Sequence, residues 1–260
     1  MTSVNQTLYI PLYGKACATE KGIVLNDPKA AEIWKSCGLR LSGKAANKYL
    51  CYYMAMRARV IDDLVLTAVE KLPNAAVLHL GCGLDSRVLR LNVQNNWYDV
   101  DFAEVIDERK KHYSETDRYA MVSADVRDPG FLQSIDSKDA VIVMEGITMY
   151  LDQTALQNLL MQFDQHFDRI ILIADFYTEF SAKASKYKNP VNEVGVTKLY
   201  GYDDMDTLCA GILLRAVSEY DMTPPHLENE LSGLEKMIFK SLYGGKFADR
   251  LYRLYSFEKA

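Results

Sequence analysis

Two patterns of apolar and polar residues divide this chain. Between about residues 27 and 72, apolar residues recur at the spacing of one helix face, with Asp27 as a suitable N-cap and Pro28 at the first helical position. After Pro73 the apolar residues come instead in short continuous runs separated by helical stretches. The pattern therefore predicts a helical N-terminal part followed by a different architecture.

The short apolar runs are typical of strands that are buried on both faces. Strands that alternate with helices predict right-handed crossovers and a doubly wound α/β fold with a mostly parallel sheet. Two later stretches alternate apolar and polar residues and predict C-terminal antiparallel strands. The predicted strands are 76–80, 97–100, 120–122, 140–144, 170–174, 213–221 and 251–257.

We expect one integrated unit with two parts. Residues 1–73 form a helical lid, and residues 74–260 form the core, which carries an insert at about 176–206. No repeat or flexible linker in the sequence argues for a further division.

Composition narrows the choice of partner and compartment. The chain has 260 residues with 30 Lys and Arg against 35 Asp and Glu, a formal net charge of −5 that disfavours nucleic acid as a partner. Five cysteines without a C-x-x-C pair suit free thiols in a reducing compartment. Residues 1–6 lack the features of a secretory signal, and no apolar run approaches the roughly 18 residues that span a bilayer. We expect a cytoplasmic protein without a membrane partner, and its oligomeric state stays open.

A glycine turn and three acidic residues mark a candidate ligand site. Gly81 and Gly83 follow the first predicted strand, and Asp101, Asp125 and Glu145 stand at the ends of the next three. Ligands of open α/β sheets bind at this carboxyl edge. The glycines alone also fit a tight turn without a ligand, but acids at three strand ends favour a ligand rich in hydroxyls and amines.

Several segments together resemble the leucine carboxyl methyltransferase superfamily: residues 77–91, 99–102, 123–128 and 145–151. Residues 10–16, 27–28 and 57–63 are similar to the branch that contains polyketide-type O-methyltransferases. The resemblance extends to about Asp175. It implies a Rossmann-like class I methyltransferase fold, with S-adenosylmethionine as cofactor and S-adenosylhomocysteine as product.

The resemblance also implies roles for residues at the nucleoside end of the cofactor. Gly81 and Gly83 line the cofactor, Asp101 binds the ribose hydroxyls, and Asp125 with Val126 surrounds the adenine. A nicotinamide dinucleotide is the rival ligand. The sequence motif for dinucleotide binding has a third glycine at the position where this chain has Ser86.

At the methionyl end, the resemblance implies that Arg59 holds the carboxylate, that Lys15 lies near it, and that Glu145 faces the amino-acid part. A guanidinium can pair bidentately with a carboxylate. The alternative for Arg59 is a surface ion pair with Asp62 or Asp63, and the alternative for Lys15 is a solvated side chain on a flexible arm.

No catalytic residue follows firmly from the sequence. His79, Tyr150 and Tyr202 are candidates, and a hydrogen-bonded core histidine is the alternative for His79. The other histidines lack ligand spacing, so we expect no metal site.

The sequence favours O-methylation of a small, acidic acceptor, with a carboxylate as the first choice because it is already ionised at neutral pH. A phenol oxygen would need a base. Alternatives are a protein C-terminal carboxyl methyltransferase, a tRNA-modifying relative, an NAD(P)-dependent oxidoreductase and a cofactor-binding protein without turnover.

Overall fold

The computed structural model describes residues 8–185, 198–245, 248 and 250–259. Part of the insert predicted at 176–206 therefore lies outside the described residues, as do residues 1–6. The described strands are β1 Ala76–Leu80, β2 Trp97–Asp101, β3 Tyr119–Ser123, β4 Asp139–Met144, β5 Arg169–Tyr177, β6 Arg215–Tyr220 and β7 Tyr252–Lys259.

These strands form one sheet in the order β3-β2-β1-β4-β5-β7-β6. The pairs among β1 to β5 are parallel, whereas β7 runs antiparallel to both β5 and β6. The order reverses beside β1, which creates a crevice at the carboxyl ends of the central strands. The predicted doubly wound sheet with an antiparallel C-terminal strand is confirmed.

Three N-terminal helices precede the sheet: α1 Tyr9–Lys21, α2 Pro28–Cys37 and α3 Lys48–Lys71. Asp27 caps α2, because its Oδ1 accepts a hydrogen bond of 2.9 Å from the Ala30 N–H. The apolar pattern predicted α2 and α3 but not α1. A Cβ on Gly14 would lie 2.8 Å from the Met54 Cβ, so only glycine lets α1 pack this closely on α3.

The remaining described helices are α4 Arg87–Leu91, α5 Ala103–Arg109, α6 Gln153–His166, α7 Glu179–Ser185, α8 Met205–Leu208, α9 Pro225–Glu228 and α10 Gly233–Tyr243. Short 3₁₀ turns occupy Pro129–Ser134 and Thr148–Tyr150. None of these described helices combines the length and apolarity that crossing a bilayer requires.

Alternate side chains of the strands pack into two hydrophobic cores, one on each face of the sheet. Val77 and Val141 pack on the face that carries α3, while Leu78 and Ile142 pack on the opposite face with α6. The continuous apolar runs in the sequence thus follow from burial on both faces. Because α3 shares a core with the strands, the N-terminal helices are held at the edge of the sheet where β1 and β4 end.

Replacing Phe163 by alanine should destabilise the fold. The Phe163 side chain is fully buried between α6 and the sheet, so Phe163→Ala should lower the free energy of unfolding by about 3 to 5 kcal/mol. Urea denaturation measures this change. Met161→Ala on the same helix is the control, since Met161 is 37% exposed. Equal losses for the two variants would contradict the assigned packing.

Candidate functional site

A cavity of about 940 Å³ opens at the carboxyl edge of β1, β2 and β4. Arg59 does not line it. The other residues that the sequence assigned to the cofactor all do: Lys15, Gly81, Gly83, Asp101, Asp125, Val126 and Glu145.

The glycine turn after β1 is held from two sides. Gly81 and Gly83 have φ values of +64° and +52°, in the left-handed region that favours glycine, and a Cβ on Gly81 would overlap the Ile147 side chain. The Gly83 N–H donates to Asp101 Oδ2 at 2.8 Å, and the Gly83 carbonyl accepts from Arg109 Nη1 at 3.0 Å. The backbone of the turn is thus fixed beside the cavity.

Asp101 at the end of β2 presents a carboxylate to the cavity. Its Oδ1 accepts a second backbone hydrogen bond, from the Phe102 N–H at 2.8 Å. Burial raises the pKa of Asp101, and the backbone N–H groups partly offset that rise. Each oxygen keeps acceptor capacity, so the carboxylate can take hydrogen bonds from a pair of hydroxyls.

Asp125 and Val126 lie farther along the cavity wall, near Phe102 and Ala124 in the lining. Asp125 is half-buried and pairs with Arg127, whose Nε lies 2.9 Å from Oδ1. That hydrogen bond lowers the pKa of Asp125. This end of the cavity combines an ionised carboxylate with apolar surfaces.

Buried ion pairs also line the cavity. Lys15 Nζ lies 2.6 Å from Asp85 Oδ2, and both side chains are almost fully buried. Lys15 is therefore fixed on α1 and is not a solvated side chain on a flexible arm. Burial opposes the ionisation of Asp85, but Lys15 and the neighbouring Arg87 and Arg90 outweigh it and hold its pKa well below the usual range.

Glu145, which follows β4, is clamped between two arginines. Its Oε1 lies 2.9 Å from Arg57 Nη2, and its Oε2 accepts from Arg87 Nη2 at 2.5 Å. Burial disfavours the charged form, but these cations overcome that effect and lower the pKa of Glu145 to about 2. The side chain is a permanent anion at the cavity surface.

The structure places Arg59 outside the site and Arg57 inside it. Arg59 is 45% exposed and its Nε bonds to Asp63 Oδ1 at 3.1 Å, the surface ion pair that the sequence left as an alternative. Arg57 is 4% exposed and lines the cavity. Residues two positions apart on a helix point about 200° apart, so only one of the two can face the cavity.

His79 lies at the base of the cavity and is 2% exposed. Arg87 Nη1 lies 3.1 Å from His79 Nε2, and Asp99 Oδ1 lies 3.3 Å from Nδ1. An arginine only donates, so Nε2 must be the acceptor nitrogen of the ring. With its lone pair engaged by Arg87, His79 fits the core histidine interpretation better than a general base.

The two candidate tyrosines are placed differently. Tyr150 lines the cavity, whereas Tyr202 does not, and its buried hydroxyl donates to the carbonyl of Leu151, a residue of the lining. Among the described residues, no group of three histidine, cysteine or acidic side chains is arranged to hold a metal ion.

Five further site residues were not found from the sequence. They share deep burial and contacts across separate elements: Arg57, Arg87, Arg109, Asp175 and Tyr252. Asp175 carried a usable signal, because it stands late in a strand like the three acids that were recognised. Arg57 and Arg87 lie within segments that carry the family resemblance, but the sequence does not show that they meet, because the partners of both lie on other elements.

Negative charge prevails along the cavity. In the described lining, five carboxylates face three cations: Asp85, Asp101, Glu104, Asp125 and Glu145 against Lys15, Arg57 and Arg127. The arrangement suits a ligand with net positive charge.

Known methyltransferases resemble this chain in sequence. The leucine carboxyl methyltransferase family matches residues 15–164. Tetracenomycin polyketide synthesis O-methyltransferase TcmP of Streptomyces glaucescens is 29% identical over 262 residues, which cover 97% of each chain. S-adenosyl-L-methionine-dependent methyltransferase dpfgK of Gibberella zeae is 29% identical over 186 residues, covering 64% of this chain and 62% of that protein.

Solved structures show the same fold. Magnesium protoporphyrin IX methyltransferase from Synechocystis PCC 6803, with bound SAH, superposes with a TM-score of 0.53 at 12% identity, covering 88% of this chain and 94% of that chain. Geranyl diphosphate C-methyltransferase from Streptomyces coelicolor, with S-adenosyl-L-homocysteine, gives 0.51 at 14% identity and covers 87% and 84%.

The residues present fit S-adenosylmethionine. This cofactor carries a sulfonium and an ammonium against one carboxylate, and the excess of carboxylates along the cavity matches that charge. Asp101, with acceptor capacity on both oxygens beside the glycine turn, suits a ribose diol. The lining thus suits the cofactor, and the family match spans more than half of the 260 residues. The chain is therefore an S-adenosylmethionine-dependent methyltransferase that belongs to the leucine carboxyl methyltransferase family.

Proposed function

We propose that this enzyme transfers the methyl group of S-adenosylmethionine to an oxygen atom of a small molecule with an apolar, ring-bearing body. The observation that carries the proposal is the continuity of the cavity, which joins the glycine turn and Asp101 to a chamber walled by tyrosines and aliphatic side chains. The name of the Streptomyces relative, a polyketide synthesis O-methyltransferase, supports the same chemistry.

At the nucleoside end, Gly81 and Gly83 allow close approach of the cofactor and Asp101 receives the ribose hydroxyls. Asp125 and Val126 border the adenine, one as a hydrogen-bond acceptor and the other as an apolar contact.

At the methionyl end, Lys15 and Arg57 attract the carboxylate and Glu145 attracts the ammonium. Arg57 takes the role that the sequence gave to Arg59, because only Arg57 reaches the cavity. Residues from Leu8 onward cross above the glycine turn, where a Cβ on Gly83 would lie 3.4 Å from the Leu8 Cβ. The start of α1 therefore acts as the lid over this end.

The acceptor occupies the far end of the cavity. Its lining there is mostly apolar or phenolic, and includes Met149, Tyr53, Tyr177, Leu251 and Tyr252. Lys15 and Arg57 serve the methionyl end and Arg127 pairs with Asp125 at the adenine end, so no cation of the described lining is left for the acceptor. The body of the acceptor is consequently bound by apolar contact, and its acidity resides in the reacting oxygen, a carboxyl or a phenol.

The cofactor supplies an electrophilic methyl group on its sulfonium when bound. The protein positions the acceptor oxygen in line with that group, and the buried walls of the cavity limit the access of water. A carboxylate would react in its ionised form without further help, whereas a phenol would first lose a proton.

Arg57→Ala should weaken S-adenosylmethionine binding. Loss of a charged hydrogen bond costs about 1.5 to 3 kcal/mol, which corresponds to roughly a 10- to 150-fold increase in Kd. Isothermal titration calorimetry measures Kd, and a thermal melt shows how far the variant remains folded, since Arg57 also neutralises Glu145.

Arg59→Ala is the matched control for Arg57→Ala, because Arg59 lies on the same helix and faces solvent. We expect its affinity for S-adenosylmethionine to equal that of the wild type. A loss in Arg59→Ala with none in Arg57→Ala would restore the original sequence assignment.

Asp101→Asn should weaken S-adenosylmethionine and S-adenosylhomocysteine by similar factors, because both carry the ribose. The variant keeps the volume of the side chain but loses one of its two acceptor oxygens. Calorimetry with each ligand checks this, with Asp107→Asn on the exposed surface of α5 as control. A loss of affinity for S-adenosylmethionine alone would show that Asp101 does not bind the ribose.

The whole proposal is tested in two steps. Calorimetric titration with S-adenosylmethionine, S-adenosylhomocysteine, NAD and NADP should show binding of the first two alone, and nicotinamide binding would point to the oxidoreductase alternative. Incubation with S-adenosylmethionine and 1-naphthol, 2-naphthol or the matching naphthoates should then give methyl ethers or esters, detected by mass spectrometry. Cofactor binding without any product would favour a protein that has lost turnover.

A further inference from the structure

The C-terminal end of helix α10 borders the cavity. This helix lies between β6 and β7, and its last two residues, Leu242 and Tyr243, belong to the cavity lining. The residues assigned to the cofactor all lie between Lys15 and Glu145 in the chain. The cofactor and the end of α10 therefore contact the cavity through different parts of the chain, and a change in α10 can alter the acceptor end by itself.

The Tyr243 ring lies at the acceptor end of the cavity. It stacks on the ring of Tyr53, with the two ring centroids 5.0 Å apart and an interplanar angle of 24°. Tyr53 is buried and belongs to the lining of the acceptor end. Because the Tyr243 ring covers one face of the Tyr53 ring, it fills space that a further ring of the acceptor would otherwise occupy.

Two further contacts fix the position of the Tyr243 ring. Phe239, one turn earlier on α10, is fully buried, and its ring centroid lies 5.7 Å from that of Tyr243. The Tyr243 carbonyl accepts a hydrogen bond of 3.3 Å from Thr223 Oγ1. To move this ring aside, a larger acceptor would have to disrupt both contacts and the stacking on Tyr53, which packed side chains resist.

An ionic cluster anchors the other end of α10. Glu235, in the first turn of the helix, accepts three hydrogen bonds at its Oε1. The donors are Lys48 Nζ at 2.9 Å, the Tyr52 hydroxyl at 2.8 Å and Lys21 Nζ at 3.2 Å. Lys21 lies on α1, and the other two donors lie on α3. Both ends of α10 are therefore held in place, so Tyr243 is a fixed part of the cavity wall.

We propose that Tyr243 is a specificity-determining residue that limits the size of the acceptor. Its ring ends the acceptor chamber, and a fused-ring acceptor that extends past this ring is excluded. The inference rests on the proposed function and deepens it. It concerns the body of the acceptor and applies equally to a carboxyl and to a phenol as the reacting group.

Acceptors with two and three fused rings test this size limit. One pair is 2-naphthoate with anthracene-2-carboxylate, and the other is 2-naphthol with 2-anthrol. In Tyr243→Ala, the ratio of kcat/KM for the three-ring acceptor to that for the two-ring acceptor should rise roughly 10- to 200-fold above the wild-type ratio. Tyr243→Leu should give a smaller rise because part of the side chain remains. Tyr243→Phe should keep the wild-type ratio because it retains the ring.

The ratio distinguishes a size limit from a structural role, since a general loss of folded enzyme lowers both rates by the same factor. Met237→Ala is the matched control, because Met237 lies on the same helix, is 65% exposed and is absent from the described lining. Kd for S-adenosylhomocysteine should stay at the wild-type value in every variant. An unchanged ratio in Tyr243→Ala, or an equal rise in Met237→Ala, would overturn the size limit.

A binding measurement does not depend on turnover. With S-adenosylhomocysteine bound, the fluorescence of each aromatic carboxylate reports its Kd. Relative to 2-naphthoate, anthracene-2-carboxylate should bind Tyr243→Ala more tightly than it binds the wild type, and Tyr243→Phe should match the wild type.

The outcomes separate the two proposals. If binding shows this selectivity but none of the four probes is methylated, the proposed function fails and the size limit stands. If methylation occurs and the ratio is the same in the wild type and Tyr243→Ala, the size limit fails and the proposed function stands. If the probes are neither bound nor methylated, both proposals fail.

Discussion

The site depends on one buried ionic interaction, the clamp of Glu145 between Arg57 and Arg87. Arg87 also bonds to Asp62 at 2.7 Å, so the clamp ties α3 to the helix after the glycine turn and to the end of β4. Removing one member of such a cluster leaves its partner charges buried without compensation, which lowers the free energy of unfolding by about 3 to 5 kcal/mol. The cluster therefore fixes where α3 lies over the sheet.

The same cluster sets the electrostatics of the cavity. Burial alone would favour neutral carboxyls, yet Glu145 has a pKa of about 2 because two arginines contact it. Within the described part of the chain, Asp175 pairs with Arg57 alone, which also pairs with Glu145, and has a pKa of about 6. Two carboxyls that contact Arg57 thus differ in pKa, because only Glu145 contacts a second arginine.

Burial of the central strands on both faces made most of the fold predictable. Such strands leave continuous apolar runs, so β1 to β5 were found from the sequence. Asp27 followed by Pro28 indicated the start of α2, because aspartate is a common N-cap and proline is common at the first helical position. Helix α1 was missed because its packing depends on the close approach of Gly14 to α3, which no periodicity records. The glycines and the acids at the strand ends were recognised because they directly follow these apolar runs in the sequence.

The sequence by itself determined the sheet, the glycine turn and the family to which the chain belongs. It could not determine which arginine enters the site, because Arg57 and Arg59 share one motif and the choice depends on how α3 is rotated against the sheet. Nor could it place Asp175 and Tyr252 at the same nitrogen of Arg57, since the two residues lie on paired strands 77 positions apart in the chain. Only tertiary structure decides such contacts, since burial and charge pairing are properties of the folded chain.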